Sequence, residues 1–94
     1  MSVARVATWD EPPELRDDDD RRAQSLYDLL HSLPGFIAAY YLHKACTGRL
    51  MSVTVWESEA ALEAAEQAVR DRPVSDQRGI RPSRLERWVV VASF

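Results

Sequence analysis

SVTVWESEAALEAA, residues Ser52 to Ala65, changes its period in the middle. Up to Trp56 the chain alternates in twos, with Ser52, Thr54 and Trp56 on one face and Met51, Val53 and Val55 on the other, as a strand does. From Glu59 it reads as a helix, and Ser58 between the two is a good N-cap, because its hydroxyl accepts an orphan backbone N–H. The stretch is therefore strand, cap, helix. The face with hydroxyls beside an aromatic suits a pocket wall, and the face of Met51, Val53 and Val55 reads as plain core.

Working outward, the helix spans Glu59 to about Arg70, with Glu66 and Arg70 spaced i, i+4, and Pro73 closes it. Its alanines (Ala60, Ala61, Ala64, Ala65, Ala68) either let the helix sit close on a sheet or leave room for a cavity. Before the quoted stretch, Phe36 to Ala45 reads as a strand joined by a turn at Cys46-Thr47-Gly48 to the strand Leu50 to Glu57. Earlier, Ala23, Leu26, Tyr27, Leu30 and Leu33 form one apolar helical stripe. That helix starts near Asp17, where its dipole favours the Asp17 to Asp20 run, and Pro34-Gly35 ends it. Ser2 to Trp9 alternates weakly as a first strand, broken by Pro12 and Pro13. After an aperiodic loop, Leu85 to Phe94 forms the last. The order β-α-β-β-α-β predicts an α+β, ferredoxin-like domain with a four-stranded antiparallel sheet and both helices on one face.

The chain has 94 residues, few enough for a single domain spanning residues 1–94. A hydrophobic fraction of 46% and a charged fraction of 29% are ordinary for a soluble globular protein. The net charge of −3 argues against nucleic acid as a partner. No stretch approaches the ~20 apolar residues of a membrane span, and the first ten residues alternate too early for a signal peptide. Cys46, the single cysteine, fits a reducing compartment, so a cytoplasmic location is expected. Two histidines and one cysteine give no zinc spacing, and there is no glycine-rich phosphate loop. Neither a metal nor a cofactor is expected.

Two helices cover one face of such a sheet, yet strands two and four are apolar on both faces. About eight large side chains would be bare; at roughly 100 Å² each and ~25 cal/mol per Å², covering them is worth up to ~20 kcal/mol before association costs. A homodimer packed sheet against sheet is the simplest remedy.

Two segments carry a family resemblance. LPGFIAAYYLHK (Leu33 to Lys44) and SVTVWESEAALEAA closely resemble the antibiotic biosynthesis monooxygenase domain family, through the Pro-Gly-Phe that opens strand two and the Trp-Glu-Ser-x-x-Ala junction after strand three. The resemblance implies a dimeric α/β barrel. It also implies an activity drawn from a family that includes cofactor-free oxygenases of aromatic polyketides, quinol monooxygenases and haem degraders. The tryptophan of the polyketide-oxidising members falls on Trp56. Their pocket asparagine falls on Ser52, and a tyrosine early in their second helix falls on Leu62. This chain contains no asparagine at all. The haem degraders carry an asparagine on strand one and a tryptophan and a histidine on helix two, none of which is present, so haem cleavage is not expected.

Which strand-two residues join the pocket depends on the turn. A loop of Thr47-Gly48, or of the four residues Cys46 to Arg49, sets His43 opposite Ser52 and Tyr41 opposite Thr54. A three-residue loop with Gly48 left-handed brings Tyr40 and Leu42 to Trp56 instead. Both registers remain open. The expected chemistry is cofactor-independent oxygenation of an aromatic polyketide or quinol-type molecule. Trp56 would stack on the rings, Ser52 would bond oxygens and His43, an imidazole, would be the base. Tyr41, Thr54, Leu62 and Trp9 would complete the binding of a small apolar aromatic ligand. Buried without partners the Ser52 and Thr54 hydroxyls would be costly, and a pocket offers them water or ligand oxygens. The alternative is a homodimer of the same fold that binds a small ligand, or is purely structural, without chemistry.

Overall fold

The computed structural model describes residues 1–10, 16–72 and 82–94, with the backbone alone at 16–20 and 22. The elements run β1 (Val3–Asp10), α1 (Arg16–His31), β2 (Phe36–His43), β3 (Arg49–Trp56), α2 (Glu59–Arg70) and β4 (Arg84–Val89). The four strands form one sheet in the order β2-β3-β1-β4, every neighbouring pair antiparallel. The α+β, ferredoxin-like architecture is the one expected. Both helices cross between parallel, non-adjacent strands, and the right-handedness of such crossovers puts them on the same face. No described helix is long and apolar enough to cross a membrane. The Asp17 to Asp20 side chains and Pro73 lie outside the described residues.

The helix-covered face is set by β1 and β3. Val3, Arg5, Ala7 and Trp9 lie opposite Trp56, Thr54, Ser52 and Leu50. Leu30, Trp56, Leu62 and Ala65 form the main buried cluster, with Leu26, Tyr27, Leu33, Phe36 and Val69 packed around it. A smaller cluster joins Ala7, Trp9 and Leu50, with Tyr41 against it. The face of Met51, Val53 and Val55, read from sequence as core, is corrected: these residues are half-buried and lie on the side away from the helices. Alternation alone divides a strand into two faces but does not say which one the crossovers will cover.

Two strand ends also differ from the expected spans. β4 stops at Val89 rather than Phe94, because β1, its partner, begins at Val3 and gives Val90 one last bond, to the Ser2 carbonyl (2.9 Å). β2 stops at His43, and the Lys44 N–H donates to the Arg49 carbonyl (3.0 Å) to close a loop over residues 45–48. Neither sequence-derived register is the observed one: Tyr41 faces Ser52, His43 faces Leu50 and Ala39 faces Thr54. The loop has four residues, shifted by one from Cys46 to Arg49, and its positive φ (63°) falls on Cys46 instead of Gly48. This shift keeps Tyr41 and His43, and not Tyr40 and Leu42, on the Ser52 side. An irregularity between Phe36 and Ala38 then brings Phe36 opposite Trp56, where their rings meet edge to face at 5.6 Å.

At the β3–α2 junction the Ser58 hydroxyl accepts from the Ala61 N–H at 3.1 Å, as the cap reading requires. Gly35 packs there too. With φ at +83°, and a Cβ that would come within 2.5 Å of the Ala61 Cβ, the position admits only glycine.

Candidate functional site

Between the helices and the sheet lies a cavity of about 300 Å³. The sheet contributes Arg5 and Trp9 from β1 and Ser52, Thr54 and Trp56 from β3; α1 contributes Leu26, Tyr27 and Leu30, and α2 contributes Leu62, Ala65, Glu66 and Val69. Alternation in β1 and β3 aims every one of the sheet residues the same way. The i, i+3, i+4, i+7 spacing of Leu62, Ala65, Glu66 and Val69 does the same on α2. Small Ala65 is buried at the centre of this wall, so the alanine-rich helix does leave volume over the sheet.

Trp56 is 1% exposed and belongs to the core cluster while also walling the cavity. Its indole Nε1–H donates to the Thr54 hydroxyl at 3.0 Å. The Ser52 hydroxyl shares a hydrogen bond of 2.5 Å with the hydroxyl of Tyr27. Ser52 and Thr54 are 5% and 4% exposed, and both are thus partnered inside the chain. Beside the water or ligand oxygens that a pocket offers, these hydroxyls have partners from α1 and from the strand-mate two residues on. A hydroxyl still has one more interaction to give, since it both donates and accepts.

Of the residues expected in the site, Trp56, Ser52, Thr54, Leu62 and Trp9 all line the cavity. Tyr41 and His43 do not. Tyr41 is half-buried beside them, its ring 5.9 Å from that of Tyr27. His43 lies exposed at the end of β2, its ring edge-on to Tyr41 at 5.1 Å. His31 is exposed against Phe36, and Cys46 is an exposed free thiol on the turn. Among the described residues no cluster of three metal-ligating side chains occurs, and the cavity lining offers neither histidine nor cysteine to a haem iron.

Sequence reasoning missed Tyr27, Arg5 and Glu66. Tyr27 carries a polar tip within the apolar stripe of α1, and Arg5 is a charge at an inward position between Val3 and Ala7. The first was visible in the helical stripe and the second in the strand alternation, but their meaning needed the opposite wall. Glu66 gathers arginines. Its Oε1 accepts from Arg87 Nη2 at 2.8 Å and stands 4.0 Å from Arg5 Nε, while Oε2 is 4.0 Å from Arg70 Nη1. Burial pulls the pKa of Arg5 below its ordinary value; Glu66 opposes that, Arg87 adds to it, and Tyr27 opposes it. A guanidinium starts so high that it stays charged throughout the physiological range.

Several solved structures share the fold. The haem-degrading protein Rv3592 of Mycobacterium tuberculosis superposes with a TM-score of 0.76 at 20% identity, over 100% of this chain and 99% of that one. Rv0793 of the same organism gives 0.73 at 14% identity, over 99% and 98%. SnoaB, a cofactor-independent oxygenase from Streptomyces nogalater, gives 0.71 at 12% identity, over 98% and 95%. No curated protein matches the chain. Residues 2–70 match the family model for antibiotic biosynthesis monooxygenase, so the fold, the tryptophan junction and the sequence agree that this chain belongs to that family.

Proposed function

We propose that the protein binds an electron-rich aromatic molecule, of polyketide or quinol type, in this cavity and oxidises it with O₂ without a cofactor. The observation that carries this reading is the cavity itself, about 300 Å³ walled by Trp9, Trp56 and Tyr27 and bearing the Ser52 and Thr54 hydroxyls. An apolar, aromatic-lined space with a few convergent polar groups is how small aromatic ligands are held. Family membership supports the same reaction class, as does the fold shared with SnoaB.

In this chemistry the substrate is its own reductant. An activated methylene loses a proton, the carbanion transfers an electron to O₂, and the radicals recombine to a peroxide. That peroxide eliminates water to leave a carbonyl: one O₂ consumed, one oxygen atom in the product and one in water. The protein's part is to position the ring, exclude water and favour the anion. Trp56 and Trp9 face the rings, Leu62 closes the apolar wall, and Thr54 and the Ser52–Tyr27 pair meet the substrate's oxygens. His43 serves as base for a substrate that projects past Tyr41 toward the open end of β2.

The working unit in this reading is a homodimer. The sheet face away from the helices carries Tyr40 (58% exposed), Trp88 (57%) and Leu42, with half-buried Val6, Met51, Val53 and Val55 between them. A second copy covers this face through a two-fold axis that presents the same apolar residues on both partners, with Glu86 and Arg84 toward its β4 side, opposite Val6 and Thr8.

Oxygen uptake with a panel of anthrones and hydroquinones tests the reaction. For an anthrone the expected result is one O₂ per substrate converted. Binding without uptake favours a second reading, a ligand-binding dimer without chemistry. That reading has its own support, since both cavity hydroxyls are already paired and no histidine lines the wall.

A further inference from the structure

Arg5 is placed where a strand would ordinarily present an apolar side chain to the core. Its flanking residues on that face, Val3 and Ala7, belong to the packed clusters. Its own side chain is 28% exposed, and its Nε is buried with no hydrogen bond among the described residues. On β1's two neighbours, the residues directly opposite are Thr54 and Arg87. Two arginines face to face across a strand pair repel, so the arrangement needs an anion nearby.

Among the described residues Glu66 is the nearest one, and it is shared unevenly. Its short contact goes to Arg87 at 2.8 Å, while Arg5 Nε is left at 4.0 Å, beyond hydrogen-bond reach. Among the described residues Arg87 has two further carboxylates, Glu59 at 3.5 Å and Glu63 at 3.7 Å, whereas Arg5 has Glu66 alone. The described cavity wall as a whole carries Arg5, Arg70 and Arg72 against the one carboxylate of Glu66. Arg70 and Arg72 are partly engaged at the end of α2, by Gln67 and by the Val69 carbonyl. Arg5 therefore stands out as a cation at the cavity wall with a buried donor to spare.

We propose that Arg5 is a specificity-determining residue and that the cavity selects aromatic ligands bearing a negatively charged oxygen, a carboxylate or phenolate, which Arg5 binds. A buried N–H donor left unmade is costly, and a charged acceptor repays more than a neutral one. The proposal rests on the aromatic-pocket reading and sharpens it. In the oxidation described above, the same guanidinium would favour the deprotonated substrate over the neutral one.

The test compares 2-naphthoate with its neutral isostere 2-naphthamide by calorimetric titration at neutral pH, using the full chain and its Arg5→Met variant. The wild type is expected to bind naphthoate at least about tenfold more tightly than naphthamide, and Arg5→Met to reduce that ratio to within about twofold. A role in folding alone would lower both affinities together and leave the ratio unchanged. If Arg5→Met does not fold, Arg5→Gln takes its place and is held to the same ratio. Equal affinities in the wild type, or a preference that survives the loss of Arg5, overturn the proposal while leaving the aromatic pocket standing. If neither naphthyl compound binds, the aromatic pocket falls and the proposal falls with it.

Discussion

Trp56 holds two roles that mutation can separate. Because it sits in the main core cluster, Trp56→Ala should cost about 3–5 kcal/mol in urea unfolding, from lost contacts and a residual void. Trp56→Phe is the better probe of the site. It keeps a ring against Phe36 but removes the indole donor to Thr54, so aromatic-ligand affinity should fall while the unfolding midpoint moves much less. Unfolding by Trp56→Phe as severe as that by Trp56→Ala would show that packing is the residue's whole contribution. The Tyr27–Ser52 pair allows a sharper measurement. Tyr27→Phe strips Ser52 of its partner and should cost about 1–3 kcal/mol, whereas adding Ser52→Ala removes the orphaned group and should recover part of that loss. A double-mutant cycle that shows no coupling would mean the two hydroxyls do not interact in solution.

At the scale of elements, the junction between β3 and α2 fixes how the helix meets the cavity. Ser58→Ala removes the cap on the Ala61 N–H and should lower stability by about 1 kcal/mol, with ligand affinity unchanged because Ser58 does not line the cavity. Gly35→Ala is predicted to be far worse. It combines a left-handed backbone with a Cβ driven into Ala61, at the very point where the Glu57 N–H donates to the Gly35 carbonyl (2.8 Å). The two helices hang from this contact at the Trp56 end of the sheet. Gly35→Ala should therefore lower the thermal midpoint much more than Ser58→Ala, and circular dichroism melts of the two variants would rank them.

For the molecule as a whole, the proposed homodimer makes the strongest demand. With the open sheet face as apolar as it is, sedimentation equilibrium at micromolar concentration should give twice the 10.7 kDa chain mass. Val53 is at the middle of that face and away from the cavity, so Val53→Glu should shift the protein to the monomer by burying an unpaired charge in the seam. A wild-type chain that sediments as a stable monomer would remove the dimer from the proposal. The cavity, built from one chain's described residues, would not be affected.

The sequence by itself determined the element order, the cap at Ser58 and the company that Ser52, Thr54 and Trp56 keep, because period, capping and alternation are local and one strand suffices to express them. It also exposed the surplus of apolar surface in strand two, since two right-handed crossovers in this element order leave one face of the sheet without a helix. Tertiary structure decided which face of β3 the helices cover, and so turned Met51, Val53 and Val55 outward. It decided the β2–β3 register through a loop whose left-handed residue is Cys46, a choice that no local preference for glycine foretold. It also brought Tyr27 to Ser52, twenty-five residues apart, and set Glu66 between Arg5 and Arg87. Those contacts join elements distant in the chain, where side-chain chemistry has meaning only once packing has chosen its partner.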